Sequence, residues 1–330
     1  MSLGPVVPKP LDGSVRFFSV AYLPTYVATV FVLLLVWAGA PGADVSLRRA
    51  WRTATAVGAG QAVWIVVGTT VVAVVFQPFQ LAVMRLLEGG WPDALGAGLG
   101  RTLQRRRKAR LAARTELDGS AGSAGATGSA EDPSPALVQR AGAAAAALRR
   151  RYPLPDHLVR PTALGNVLAA LRDTAGRDHG WDAAVAWPRL YPVLGDRARA
   201  VVDDCRDSLD AAARLCVTNA VTALVSTALL LRSGWWLLLA LAPAAVAVLA
   251  YHGAVQAALT YGDAVRAAFE LHRFDLLAAL HLPLPDSLQE ERTLAQALCL
   301  HWRQGLPPPS RYAHPLDPTD PPYSPSTPGS

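Results

Sequence analysis

Four long stretches without a charged side chain constrain this 330-residue sequence more than any other feature. They run from Phe17 to Ala43, Thr53 to Met84, Leu215 to Leu231 and Ser233 to Gly262, and none contains Asp, Glu, Lys or Arg. An α-helix rises about 1.5 Å per residue, so runs of this length suffice to cross a hydrocarbon layer of roughly 30 Å. The expected fold is therefore an all-α membrane protein. It has four transmembrane helices arranged as two hairpins, a small helical cytosolic insert between them, and a C-terminal cytosolic helical segment. Ala38-Gly39-Ala40 after the first run resembles a signal-peptidase site. That run is about twice the length of a typical signal-peptide core of roughly 7 to 15 residues, so an anchor is the preferred reading.

Charge sets the orientation. Between Arg101 and Arg114 the sequence RTLQRRRKARLAAR carries seven basic and no acidic residues. Basic segments near a membrane are retained on the cytoplasmic side. The insert is thus expected inside the cell, with both termini cytoplasmic and the spans in the plasma membrane. Arg48, Arg49 and Arg52 then fall in an external loop against the rule, unless that loop forms an interfacial helix. Trp37, Trp51, Trp64, Trp235 and Trp236 lie near the ends of the runs, where amphipathic rings favour the headgroup zone.

The domain reading follows the same logic. Residues 1–16 form a cytosolic N-terminus, 17–92 the first transmembrane hairpin, 93–118 a basic juxtamembrane arm and 119–135 a disordered linker of Gly, Ser and Ala. Residues 136–214 form a cytosolic helical unit, with Gly176 and Gly180 stopping a helix that begins near Pro161. The stretch from Arg197 to Arg214 carries i,i+4 charge pairs and runs without Pro or Gly into the third span. Residues 215–262 make the second hairpin. Residues 263–304 form amphipathic cytosolic helices, and 305–330 a disordered tail rich in Pro and Ser. Alanine is abundant in the fourth span, where small residues would allow close helix approach. Of 31 basic residues only Lys9 and Lys108 are lysine, a bias that looks like high-GC codon usage and supplies alanine as well.

Motifs for catalysis are missing. Cys205, Cys216 and Cys299 form no C-x-x-C pair, and no G-x-S-x-G, H-E-x-x-H or Walker-type loop is present. No catalytic residue, metal site or cofactor is assigned. Glu270, His272 and Asp275 come nearest to a cluster, but 270 and 272 point apart on a helix. Uncharged spans disfavour ion-coupled transport, which uses intramembrane ionisable groups.

Three sets of residues carry the remaining expectations. Arg101, Arg105, Arg106, Arg107, Lys108, Arg110 and Arg114 are assigned to anionic lipid, with nucleic acid disfavoured for want of interleaved aromatics. Gln77, Pro78 and Asn219 are candidate pore or hinge positions, since Pro78 bends a helix. Asn166, Trp187, Arg189 and Tyr191 form a candidate partner or ligand surface.

The strings RLLEGGWP, PTALGN, WPRLYP and YGDAVRAAFELHRFDLL resemble an uncharacterised family of multi-pass membrane proteins from high-GC bacteria. The resemblance covers Phe17 to about Arg303 and implies a membrane location, but transfers no activity. The expected function is that of a non-enzymatic membrane protein, its cytosolic unit acting as scaffold or sensor coupled to the bundle. Its partners would be the lipid bilayer, other copies in a homo-oligomer, and a cytosolic protein. The alternative is an oligomeric channel or permeability effector; a membrane-bound enzyme acting on lipid ranks third.

Overall fold

The structure, a computed structural model, describes residues 14–42, 44–76, 84–91, 96–120, 135–307 and 312. All regular elements among them are helical. In chain order these are α1 (Ser14–Trp37), α2 (Leu47–Thr55), α3 (Ala59–Phe76), α4 (Ala97–Ser120), α5 (Pro135–Arg151), α6 (Ala163–Thr174), α7 (Ala183–Leu190), α8 (Asp196–Leu230), α9 (Leu241–Ala279) and α10 (Leu288–Gln304). A helical turn at 84–87 follows α3, and a 3-10 turn, Gly234–Ala240, leads into α9.

Two long helices organise everything else. The apolar, uncharged runs of α8 and α9 are only parts of helices that continue without a break into polar sequence. α8 spans 35 residues and α9 spans 39, giving lengths of about 50 and 60 Å. By length and composition, Asp196–Leu230 and Gly234–Ala279 can each cross a membrane. The first part of the amphipathic segment expected at 263–304 is thus the far half of α9, because Gly262 lies inside the helix with nothing to stop it.

Their interface explains part of the alanine bias. Ala247, Ala250, Ala254 and Ala258 of α9 are buried at helical spacing, and Cys216, Thr222 and Ser226 are buried on α8. Small side chains on the contact faces let two helices approach closely over several turns. Ala245 and Gly253, by contrast, are exposed, so there composition alone accounts for them.

The second apolar run does not form one span. It is divided by the turn at 56–58 into the end of α2 and the start of α3, whose axes meet at 110°. If this bent pair counts as one crossing, the described residues hold three membrane-competent segments against four expected. α1 is one helix of 24 residues, uncharged from Phe17 to Trp37; its stretch Leu23–Trp37, taken alone, is shorter than a crossing needs. α1 packs along α8, and Tyr26 and Thr70 share a 2.7 Å hydrogen bond that ties α1 to α3.

A main core surrounds the far halves of α8 and α9. Phe269, Leu276 and Leu277 of α9 are almost completely enclosed, with Leu164 and Leu171 of α6, Leu190 of α7, Leu209 of α8 and Leu298 of α10. Each such side chain contributes roughly 2 kcal/mol through burial. A second, smaller cluster closes the opposite end. There Leu35, Ala38, Val45, Ala50 and Leu230 pack together, and Ser233 Oγ donates to the Gly42 carbonyl at 3.0 Å.

The two sequence segments flanking residues 119–135 are partners. α4 packs on α5, and Ala97, Arg101, Gln104, Lys108, Leu111 and Thr115 form its less exposed face at alternating steps of four and three. That spacing is the heptad seam of a coiled coil. Leu137, Ala141, Ala144 and Leu148 repeat it on α5. Residues 121–134 of the expected linker, and 308–311 and 313–330 of the expected tail, lie outside the described residues.

Candidate functional site

The place where the apolar helix pair meets the polar unit is the most closely determined part of the molecule. Its centre is the N-terminus of α6, formed by Pro161 to Asn166. Thr162 is the N-cap: its hydroxyl accepts from Gly165 N at 3.0 Å and donates to the Leu87 carbonyl at 2.7 Å. The next free amides, Ala163 N and Leu164 N, both donate to the Tyr251 hydroxyl of α9, at 3.0 and 3.3 Å. A helix start leaves its first amides unpaired, so a side chain from α9 and one from α6 itself supply what the backbone lacks.

Glycines set the distance of approach. A Cβ on Gly165 would stand 2.1 Å from the Glu88 carbonyl oxygen, and one on Gly100 2.8 Å from Pro161 Cβ. Gly89 has φ +83°, and its Cβ would meet Pro161 Cδ at 2.7 Å. The strings RLLEGGWP and PTALGN are therefore two halves of one interlock, further tied by Arg172 and Glu88 at 3.2 Å. Asn166, expected as a surface residue, is 1% exposed. Its amide donates to the Arg160 and Thr162 carbonyls, and its oxygen accepts from Arg160 N, which fixes the bend before α6.

The strings WPRLYP and YGDAVRAAFELHRFDLL pair in the same way. Trp187 of α7 is buried against Phe269 of α9, ring centres 5.9 Å apart, and against Tyr191. Arg189 lies over the Trp302 ring of α10 at 4.5 Å, and Trp302 stacks on Trp181. Of the four residues expected to form one surface, Asn166 and Trp187 are thus enclosed, while Arg189 and Tyr191 remain partly accessible in contact with neighbours.

Tyr191 donates to Asp203 Oδ1 of α8 at 2.6 Å. Burial, and then the bond to Asp203, push the Tyr191 hydroxyl up to about 12. A phenol whose folded value lies above its ordinary 10 stabilises the fold at all lower pH. That contribution is lost as pH rises from about 10 towards 12, where the unfolded chain ionises first. The thermal midpoint of wild type is expected to fall more steeply above pH 10 than that of Tyr191→Phe; parallel curves would reject this role.

A buried carboxylate, missed in the sequence, fastens α10. Glu291 is 3% exposed; its Oε1 accepts from Arg273 Nε at 2.8 Å. His179 Nδ1 stands 3.4 Å from its Oε2, a contact too poorly aligned for a hydrogen bond. Gly180 allows the backbone of Arg292 to close on the 177–179 turn, where its Cβ would stand 2.8 Å from Arg292 Cα. The signal in the sequence was a lone Glu among apolar positions 295, 298 and 299 of one helix face.

The basic arm is partly committed to the fold. Lys108 donates to Asp156 Oδ1 at 2.6 Å and to the Leu154 carbonyl, and Arg105 donates to the Asp156 carbonyl at 3.3 Å. The hydrogen bond from Lys108, and then its charge, lower the Asp156 carboxyl. Arg101 is half-buried at the seam, whereas Arg106, Arg107, Arg110 and Arg114 are exposed. Asn219 donates its amide to the Leu215 carbonyl of its own helix, and Gln77 and Pro78 lie outside the described residues. Burial pushes the Cys299 thiol up to about 11, so it is protonated at neutral pH. Cys299 Sγ instead accepts from Asp182 N at 3.3 Å. His272 pairs with Asp275 at 2.7 Å on an exposed turn of α9. Among the described residues no group of three or more His, Cys, Asp or Glu side chains is placed to hold a metal ion.

No protein-family model matches the chain, and no curated protein or solved structure is similar to it at a significant level.

Proposed function

We propose that this protein is a multi-pass membrane scaffold or sensor whose polar helical unit is rigidly keyed to its membrane-crossing helices. The observation that carries the reading is continuity: α8 and α9 run unbroken from the apolar pair into the main core, where α6, α7 and α10 pack on them. Tyr251 caps α6 from α9, and Phe269 anchors α7, so displacement of either long helix moves the unit with it. The unit lies on the cytoplasmic side of the plasma membrane with both chain termini, and the exposed arginines of α4 face anionic lipid there. Copies of the chain assemble through the membrane segments.

The expected behaviour can be measured with spin labels at Leu238→Cys beside the start of α9 and Ala184→Cys on α7, in full-length protein with Cys205→Ser in lipid nanodiscs. Both sites are exposed. A single narrow distance distribution is expected, and two glycines inserted after Leu209 together with two after Thr260 should broaden it severalfold. A broad distribution in the uninserted protein, or a narrow one after insertion, would overturn rigid coupling.

A further inference from the structure

α2 is a short amphipathic helix placed where the topology proposed above makes it hardest to explain. It carries Arg48, Arg49 and Arg52, all exposed, and no acidic residue. Leu47 and Trp51, one turn apart, are 57% and 71% exposed. Only Ala50 is buried; it docks α2 onto Leu35, Ala38 and Leu230 at the end of the molecule formed by the α8–α9 turn. Ser46 N donates to the Ala38 carbonyl at 2.9 Å, which fixes the start of the helix. The 110° angle to α3 lays α2 close to the membrane plane whenever α3 runs across it.

We infer that α2 is a binding surface for anionic phospholipid headgroups of the outer leaflet. Guanidinium groups pair with phosphate oxygens through two parallel hydrogen bonds, which suits Arg rather than Lys at such a position. Leu47 and Trp51 provide the apolar and interfacial contacts that an in-plane helix uses alongside its cationic face. Three arginines on the side that repels them in topogenesis are thus accounted for by the headgroups that they meet. The inference rests on the membrane reading of α3.

Tryptophan quenching in nanodiscs tests it. Full-length protein is placed in brominated phosphatidylglycerol or brominated phosphatidylcholine, and the contribution of Trp51 is taken as wild type minus Trp51→Phe. Trp64 of α3, 76% exposed, is isolated likewise through Trp64→Phe. Trp51 quenching at least twofold greater in phosphatidylglycerol is expected, equalised in the triple variant Arg48→Gln, Arg49→Gln, Arg52→Gln and retained when the same three become Lys. Equal Trp51 quenching in both lipids, with Trp64 quenched, overturns the headgroup preference alone. Absence of quenching at Trp64 in either lipid overturns the membrane reading and the inference with it.

Discussion

Gly165→Ala should lower the stability of the protein by about 2 kcal/mol, and Gly165→Val by more. Alanine ordinarily favours a helix over glycine by about 1 kcal/mol, so the expected sign opposes the propensity. The reason is the Glu88 carbonyl oxygen, 2.1 Å from where the Cβ would sit. Because the obstructing atom belongs to the backbone, no rotamer change relieves the clash. Either α6 shifts off the 84–91 segment or that segment leaves, and overpacking of this kind costs about 1 to 3 kcal/mol before propensity is counted. The control is Gly142→Ala on α5, where a Cβ meets nothing within 4 Å and a gain of up to about 1 kcal/mol is expected. Thermal unfolding in detergent reads both, and limited proteolysis near Gly89 should accelerate only in the Gly165 variants. Two variants with the same sign would refute the interlock.

Removal of the buried Glu291 carboxylate should have an effect at least as large. Glu291→Ala removes the counter-charge of Arg273, leaving it the Glu270 carbonyl and the Phe274 ring, and breaking a buried ion pair on one side costs about 3 to 5 kcal/mol. The Arg273 side chain retains 18% exposure and can recover some water, which places the expected loss near about 3 kcal/mol. Glu291→Gln keeps an acceptor for Arg273 Nε and should lose roughly half of that. Since Glu291 holds α10 against α9, loss of the pair should also loosen the Trp181 and Trp302 stack, whose rings lie 6.2 Å apart. A red-shifted tryptophan emission in Glu291→Ala below its unfolding temperature is the expected sign. A stability change under 1 kcal/mol would show that α10 is held by its apolar face alone.

Local signals made several boundaries readable. Thr162 begins α6 because a hydroxyl can pair the first amides, and Gly176 and Gly180 end that region because both adopt positive φ, 73° and 81°. The continuity of α8 followed from i,i+4 pairs and the lack of any breaker. Hydropathy, however, reports only what a segment contains. It could not see the bend at 56–58, where Val57 and Gly58 are as uncharged as the helices on either side. Nor could it see α4 pairing with α5, because the seam positions Arg101, Gln104 and Lys108 are polar and the partner face is mostly alanine.

Of the candidate surface at Asn166, Trp187, Arg189 and Tyr191, the first two are buried. Sequence texture there records steric demand: Asn166 satisfies three backbone groups, and Trp187 fills the space beside Phe269. Side chains recruited by a ligand and those recruited by a tight joint look alike in one dimension. What separates them is enclosure, and only the packing of α6 and α7 on α9 supplies it.

Length converts angle into distance. A rod of about 60 Å that rocks by about 10° about one end carries the other through about 10 Å. α9 is such a rod, and the polar unit grips it at Tyr251 and again at Phe269, five turns apart. Two grips on one rod transmit rotation as well as translation. On the coupling proposed above, small changes of tilt among the apolar segments would displace the residues packed at the far end of α9 by distances comparable to the width of a helix.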